Sequence, residues 1–486
     1  MKGKGIKGIG LIKSPIKFGT DGWRGIIAQD FTFDNVRICA QAVASYLKQA
    51  ELANQGLLVG YDTRFASEDF AQAAAEVVAG NGIKVYLCSE ATPTPAISYG
   101  VLAKKCGGAI IITASHNPAQ WNGFKYKSED GASASTEVSA QLEKNIANII
   151  TTGKINRLPL AEALEQGLIE YIDLAPFYLN QIKSLIDLDE LRKARLKIAV
   201  DSMYGTGAGY FKVLLGGGAS EIIEINSQRN PIFPGMKQPE PIAVNLGKLS
   251  SVVKEENAGV GIATDGDADR IGIIDEKGNF LTQLQVFALL ALYLLEVRGQ
   301  RGAIVKTITA TSMLYRLGEI FNVPVYETPV GFKYVAPIML AQNALVGGEE
   351  SGGYGFRGHV PERDAILTGL YFLDLMTKTG KTPSQLLDYL FSKVGPHHYS
   401  RLDIEFPEKQ REKMTGHLRD SSPRTLNGVK VVKRDTFDGF RFILADTSWL
   451  LIRFSGTEPL LRIYAESDSP ARVDRLLELG KNLASV

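Results

Sequence analysis

From about residue 35 to 395, short apolar runs alternate with longer stretches in which apolar residues recur at helical spacing. The runs predict strands at Leu57–Gly60, Lys84–Cys88, Ala109–Ile112, Leu196–Val200, Val260–Ala263, Ile271–Ile274 and Ala303–Val305. The periodic stretches predict helices at Asn35–Gln49, Glu68–Ala79, Thr136–Ile150 and Thr282–Glu296. Such alternation reads as α/β units with parallel or mixed sheets. After about residue 395 the pattern changes. WLLIRFSGTEPLLRIYAES, Trp449 to Ser467, reads as two strands flanking a loop, and an amphipathic helix at Ala471–Ala484 follows Pro470. This part is expected to be a separate α+β domain.

Several strands end alike. VGYDTR, IIITASHNP, IAVDSMYGTG and IATDGDADR each leave an apolar run and enter a polar loop. In open α/β sheets ligands sit where carboxyl ends of strands open into loops. The similarity fits several related α/β domains without proving a repeat.

Length and composition narrow the class. A chain of 486 residues exceeds one hydrophobic core and divides into several domains. Hydrophobic residues make up 45% and charged residues 22%, as in ordinary globular proteins. Lys plus Arg is 54 against 53 Asp plus Glu, a balance that argues against nucleic acid or a membrane surface as partner. No run of about 18 apolar residues suggests a membrane span. The lysine- and glycine-bearing N-terminus lacks the apolar stretch of a secretory signal and reads as a frayed tail. Cys39, Cys88 and Cys106 form no CxxC pair and no zinc spacing, so reduced thiols and a cytoplasmic location are expected.

Four loops carry candidate chemistry. In TASHNPAQWNGFK, Thr113 to Lys125, the asparagine and proline suit a turn, but Ser115 needs another reason. The G-x-S-x-G elbow of hydrolases is absent. His116 is adjacent, and adjacent side chains on extended backbone point to opposite faces, so no local Ser–His pair is expected. A serine that carries a phosphoryl group needs a divalent metal and cations instead. In TDGDADRIG, Asp265, Asp267 and Asp269 alternate, so an extended loop would turn three carboxylates to one side. Three hard oxygen donors suit Mg²⁺. The rival readings are a solvated acidic turn and an EF-hand, but Arg270 stands where that hand needs glycine and the flanks read as strands. In GGEESGGYGFRGHVPERD, Gly347 to Asp364, glycines allow close backbone approach while Glu349 and Ser351 suit sugar hydroxyls, although a flexible turn would explain the same residues. In RFSGTEPLLR, Arg453, Ser455, Thr457 and the Gly456 amide can surround one phosphate, with Arg462 on the next strand; an ordinary hairpin is the alternative. Arg24, Lys125, Arg270, Lys333, Arg453 and Arg462 place cations in or beside these loops.

Together and in this order, the loops resemble the α-D-phosphohexomutase family, to which phosphoglucomutases and phosphomannomutases belong. The matching segments are FGTDGWRG (Phe18–Gly25), TASHNP (Thr113–Pro118), DGDADR (Asp265–Arg270), TPVGFKY (Thr328–Tyr334), GEESGG (Gly348–Gly353) and RFSGTEP (Arg453–Pro459). The resemblance implies three similar α/β/α domains with mixed sheets, plus a smaller C-terminal α+β domain, around a central cleft. The implied limits are 1–165, 166–280, 281–393 and 394–486. It also implies a phosphorylated Ser115, and one Mg²⁺ held by Asp265, Asp267, Asp269 and a phosphoserine oxygen. Sugar contacts would come from Glu349 and Ser351, with Thr328 and Lys333 from the TPVGFKY loop. Arg453, Ser455, Gly456, Thr457 and Arg462 would hold the phosphate that is not reacting.

The implied activity interconverts glucose 1-phosphate and glucose 6-phosphate through glucose 1,6-bisphosphate, which turns end over end in the cleft. Catalytic candidates are Ser115, His116, Lys125, Arg24 and Arg270. Lys125 is the candidate general acid or base if a neighbouring cation and partial desolvation lower its pKa; a simple phosphate contact is the alternative. Arginine stays protonated, so Arg24 and Arg270 are expected to stabilise charge. One departure stands out: some family members carry histidine at the last position of the GE-x-SG-x loop, and here it is Gly353. GEESGG resembles the loop of glucose-preferring mutases more than GEMSGH or GEQSGH. Phosphomannomutase, dual-specificity and phosphoglucosamine mutase activities are the alternatives, with a non-catalytic sugar-phosphate sensor behind them. The expected partners are small hexose phosphates, and the expected assembly is a monomer or homodimer.

Overall fold

The computed structural model describes residues 16–19, 21–455 and 460–485. Gly456 and Thr457 therefore lie outside the described residues, as does most of the N-terminal tail. The described residues build four sheets in succession. The first is six-stranded and mixed, in the order Trp23–Ile26, Trp121–Lys127, Ala109–Ile112, Leu57–Tyr61, Val85–Cys88, Ile169–Ile172. The second has five strands: Phe280–Leu281, Ile271–Ile274, Val260–Thr264, Lys197–Asp201, Glu221–Ile225. The third has four: Val325–Thr328, Ile304–Thr307, Val346–Gly348, Tyr354–Phe356. The fourth runs from His398 to Ser467 and is antiparallel throughout. The fold is thus three α/β/α domains with mixed sheets and a C-terminal domain built on an antiparallel sheet.

The first three sheets share one plan. Label four strands of each domain in chain order as first to fourth. In all three domains the sheet runs fourth, third, first, second, and only the fourth strand is antiparallel to its neighbour. The connection from third to fourth strand is TASHNPAQ in the first domain, DGDADR in the second and EESGG in the third. The three chemistry-bearing loops thus occupy one equivalent position in three similar domains, each at the carboxyl end of a buried strand.

The third strands are apolar because helices cover both faces; Ala109–Ile112 and Val260–Thr264 are wholly buried. One apolar core runs through the second and third domains, joining Ile198, Ile262, Phe287, Ile304 and Leu367. The first and fourth domains have cores of their own. The fourth docks on the third through Ile308, Trp449, Leu451 and Tyr464, and Arg441 bonds Glu327 at 2.6 and 2.5 Å across the same contact.

Two local expectations change. The helix expected at Thr282–Glu296 runs from Gln283 to Leu292 and then loosens into a π-helical turn, Tyr293–Val297. Strand Ile169–Ile172 pairs in parallel with Val85–Cys88, so the first sheet reaches beyond the limit at residue 165 drawn from sequence. Among the described residues no helix is long and apolar enough to cross a membrane.

Candidate active site

Ser115 is buried and adopts a left-handed backbone, φ 52°. Such a conformation costs a non-glycine residue of order 1 kcal/mol and must be held by its surroundings. Arg64 does much of the holding. Its fully buried guanidinium donates to the carbonyls of Ser115 and Asn117 at 2.6 Å, Pro118 at 3.0 Å and Trp121 at 3.1 Å. Asp62 pairs with Arg64 at 3.2 Å and accepts from the Thr113 hydroxyl at 2.5 Å, while that hydroxyl accepts the Ser115 N–H at 2.8 Å.

The left-handed turn also corrects the expected geometry of His116. Because the backbone at Ser115 is not extended, His116 Nδ1 lies 3.3 Å from Ser115 Oγ. Burial and the cations Arg270, Arg24, Arg64 and Lys125 hold the imidazole well below the usual histidine range, so it is neutral.

The aspartate loop meets Ser115 from the second domain. Gly266 permits the approach: a Cβ there would lie 2.6 Å from Ser115 O. Ser115 Oγ donates to Asp265 Oδ2 at 2.7 Å. Asp265 Oδ1 accepts the N–H groups of Asp269 and Arg270 at 2.9 and 3.1 Å. Asp267 Oδ2 accepts from Thr94 Oγ1 at 2.7 Å and from Lys125 Nζ at 2.9 Å. Donor oxygens of the three aspartates lie within 4.8 Å of one another, and all three residues are buried. Among the described residues, Asp267 Oδ1 and Asp269 Oδ1 are buried without a hydrogen-bond partner. Burial and the neighbouring Asp269 and Asp267 push the Asp265 carboxyl well above the usual carboxylate range. Two orphaned hard oxygens beside a third crowded carboxylate fit a divalent cation such as Mg²⁺. The Asp-x-Asp-x-Asp run is flanked by strands Val260–Thr264 and Ile271–Ile274, which excludes the EF-hand.

Lys125 departs from expectation. Its Nζ lies 2.8 Å from Asp21, 2.9 Å from Asp267 and 3.5 Å from Asp269. Burial disfavours the ammonium, but the three carboxylates outweigh burial and raise its pKa rather than lower it. Lys125 is an ammonium here, not a free base.

Arg24, Arg270 and Lys125 lie around the serine loop, near enough to act on His116, whereas Lys333 is placed by Gly19. Arg24 Nη1 donates to Asn117 Oδ1 at 2.6 Å, and Arg270 Nη1 lies 3.4 Å from Glu240. Lys333 Nζ donates to Gly19 O at 3.3 Å. In the third domain, Glu349 accepts the Gly331 N–H at 3.0 Å, and burial pushes its carboxyl up. Ser351 Oγ is buried with no hydrogen-bond partner among the described residues. The Thr328 hydroxyl donates to Pro329 O at 2.9 Å and keeps its acceptor lone pairs. Glu350, in the middle of GEESGG, turns to the C-terminal domain. It bonds Tyr399 at 2.7 Å and Arg401 at 3.0 Å on the C-terminal domain.

In that domain Arg453 and Arg462 are cross-strand partners. Arg453 Nε donates to Asp438 at 2.9 Å, and Arg462 lies 3.7 Å from Asp403. Ser455 is buried, its N–H on Leu460 O at 2.8 Å. Arg453 borders a cavity of about 480 Å³.

Several residues at the centre are not singled out by the sequence reading. Arg363 lies 2.8 Å from both Asp21 and Asp269, 3.0 Å from Glu362 and 3.5 Å from Glu349. It joins the aspartate loop to the GEESGG loop. Asp21 gathers Lys125, Lys127 and Arg363, which hold its carboxyl low against burial. A signal is present for Asp21, inside FGTDGWRG, and for Arg363, inside the VPERD that closes the GEESGG segment. Lys127 shares a strand face with Lys125 and pairs with buried Glu362 at 2.5 Å.

A buried serine at a turn approached by Arg24, Lys125 and Arg270, bonded to one of three clustered carboxylates, is an arrangement suited to phosphoryl transfer. Residues 15–152, 176–278, 283–394 and 408–479 match, in turn, alpha/beta/alpha domains I, II and III and the C-terminal domain of phosphoglucomutase/phosphomannomutase. The chain belongs to this family, within the α-D-phosphohexomutases, and is a mutase. It is 32% identical over 466 residues to a phosphoglucomutase/phosphomannomutase of Thermococcus kodakarensis, covering 96% of this chain and 98% of that one. A phosphoglucosamine/phosphogalactosamine mutase of Sulfurisphaera tokodaii is 30% identical, with 93% and 95% covered. A crystal structure of a protein from Thermus thermophilus that carries the name phosphomannomutase superposes with a TM-score of 0.85 at 35% identity, covering 98% of this chain and all of that one.

Proposed function

We propose that the protein interconverts glucose 1-phosphate and glucose 6-phosphate, with Ser115 carrying the transferred phosphoryl group and glucose 1,6-bisphosphate as the intermediate. The observation that carries this reading is the 2.7 Å bond from Ser115 Oγ to Asp265, beside the orphaned oxygens of Asp267 and Asp269. The aspartates would hold Mg²⁺ together with a phosphoserine oxygen, and that ion would supply charge withdrawal from the phosphoryl group.

The protein's own residues divide the remaining work. Glu349 and Ser351 orient the sugar hydroxyl toward the phosphoserine. As the hydroxyl oxygen bonds to phosphorus, the bond from phosphorus to Ser115 Oγ breaks, and the proton the hydroxyl gives up ends on Oγ. In the return step Ser115 Oγ attacks the other phosphate and the bond from phosphorus to the sugar oxygen breaks; neutral His116, 3.3 Å away, takes the proton that Oγ releases and hands it on to that sugar oxygen, which leaves as a hydroxyl. The Lys125 ammonium with Arg24 and Arg270 balances charge spread over the phosphoryl oxygens. Arg453, Ser455, Gly456, Thr457 and Arg462 hold the idle phosphate from the C-terminal domain, and an anion grip of this kind accepts either end of the bisphosphate.

The glucose preference rests on GEESGG. Glu350 weakens that support, since it faces the C-terminal domain. The second reading, an amino-sugar or mannose substrate, draws on the names of the relatives at 30 to 35% identity. Phosphorus NMR with Mg²⁺ decides: glucose 1-phosphate, mannose 1-phosphate and glucosamine 1-phosphate are each incubated with protein and a trace of the matching 1,6-bisphosphate. Fastest conversion of the glucose compound is expected. Faster conversion of either other sugar overturns the glucose assignment, and no conversion of any, in protein carrying phosphate on Ser115, overturns the mutase activity itself.

A further inference from the structure

Asp438 spans two parts of the site that the proposed function uses separately. Its Oδ1 accepts from Arg453 Nε at 2.9 Å, and its Oδ2 accepts the backbone N–H of Val330 at 2.8 Å. Arg453 opens the RFSGTEP segment on the C-terminal domain. Val330 belongs to the TPVGFKY loop of the third domain, beside Gly331, whose N–H donates to Glu349 at 3.0 Å. A single carboxylate therefore ties the anion-binding arginine to the loop that supports the sugar-binding carboxylate.

The chemistry of this contact is directional. Asp438 takes only Nε of Arg453, and among the described residues neither Nη has a hydrogen-bond partner. An Nε–carboxylate bond fixes the guanidinium plane and leaves its outer edge for a second anion. Both side chains are mostly shielded, 12% exposed for Arg453 and 21% for Asp438. They border the cavity of about 480 Å³, where Arg419 is the other cation and Asp438 the one carboxylate among the lining residues. The second bond sets the distance across the domain contact, because Val330 N–H has no freedom to follow a moving side chain.

We propose that Asp438 is a positioning residue for phosphate capture. It aims Arg453 at the idle phosphate and holds that arginine in register with the TPVGFKY loop. The inference rests on the reading of Arg453 as a phosphate ligand.

The test is a double-mutant cycle of Asp438→Ala and Arg453→Met in the full chain, with thermal unfolding as the check on folding. Asp438→Ala is expected to raise KM for the hexose phosphate about tenfold with kcat changed less than about twofold, because the lost interaction is a binding one. Asp438→Asn keeps one of the two bonds and falls between. In the Arg453→Met background the Asp438→Ala change in KM shrinks to less than about twofold, since the aimed group is gone. An equal effect in both backgrounds overturns the proposal, as does tighter binding in Asp438→Ala, which would make Asp438 a competitor of phosphate. If Asp438→Ala does not fold, Asp438→Asn takes its place in the cycle. Calorimetric binding of inorganic phosphate to the same four proteins reads the coupling without turnover. Inactivity toward every hexose phosphate would overturn the proposed function, and the phosphate cycle would still decide the role of Asp438.

Discussion

Gly353 and Arg363 compete for one volume. A Cβ built on Gly353 would lie 2.3 Å from Arg363 Cδ, and Arg363 is pinned by Asp21, Asp269, Glu349 and Glu362. The glycine therefore stands where it does because a buried arginine fills the space that a side chain at 353 would take. This gives the departure from the histidine-bearing loops a physical cause. Gly353→Ala should cost about 1–3 kcal/mol, the range for overpacking, and should lower kcat/KM by displacing Arg363. Combining it with Arg363→Ala should make the two effects strongly non-additive. Urea unfolding and steady-state kinetics of the two single variants and the double variant check this; additive losses would show that the two residues do not share the space.

The aspartate loop predicts a metal dependence that can be read without turnover. Mg²⁺ binding the folded state should raise stability by about 2.7 kcal/mol at a hundredfold excess over its Kd. Asp267→Asn should remove most of that gain, because Asp267 Oδ1 is one of the two orphaned oxygens. Chelation should abolish mutase turnover, and Mg²⁺ should restore it. Thermal unfolding with and without Mg²⁺ measures the first effect, and an unchanged midpoint in the unsubstituted protein would remove the aspartates from the role of metal ligands.

Arg64 supports the reactive loop from beneath. Its four carbonyl bonds and its pair with Asp62 are buried, so Arg64→Met leaves an uncompensated carboxylate and several unmatched acceptors. Breaking such a buried pair costs about 3–5 kcal/mol. Turnover should fall further than substrate binding, because the loss falls on the Ser115 backbone. Equal changes in kcat and KM, measured where the variant is fully folded, would contradict a role in shaping the serine loop.

How much of this is legible in the sequence follows from where each signal lies. The aspartate loop is local, so spacing alone suggests converging carboxylates. Ser115 stands out because nothing about a turn requires it. The charge state of Lys125 is not legible, because it depends on Asp21, brought in by the pairing of Trp23–Ile26 with Trp121–Lys127. The approach of His116 to Ser115 is hidden for another reason: alternation assumes extended backbone, and a left-handed residue breaks it. GEESGG reads as a sugar-facing unit, yet only Glu349 and Ser351 carry that reading, and Glu350 serves the domain contact. The first sheet outruns its expected limit because strand Ile169–Ile172, with a partly exposed rather than fully apolar pattern, sits at the sheet edge.

The contact between the third and fourth domains should carry its own acid sensitivity. Glu327 is held by Arg441 at 2.5 and 2.6 Å and by Lys306 at 3.2 Å, with the Tyr315 hydroxyl donating at 2.9 Å and Asp435 sharing Arg441 at 2.7 Å. Burial alone would raise the Glu327 carboxyl, but Arg441 and Lys306 outweigh it and bring the pKa down from 4.5 to about 2. A carboxylate whose folded pKa lies below its unfolded value stabilises fully above the unfolded pKa. That stability is lost as pH falls through the window from about 4.5 to about 2, and a shift of this size corresponds to roughly 3 kcal/mol. Glu327→Gln should therefore be less stable than the unsubstituted protein near pH ~6 and should show a flatter decline across the acid window. Urea midpoints at several pH values, read on Trp449 fluorescence at the docked face, measure both. Parallel declines for the two proteins would place the acid sensitivity elsewhere, and leave the Arg441–Glu327 pair as a geometric contact with no part in holding the C-terminal domain against the third.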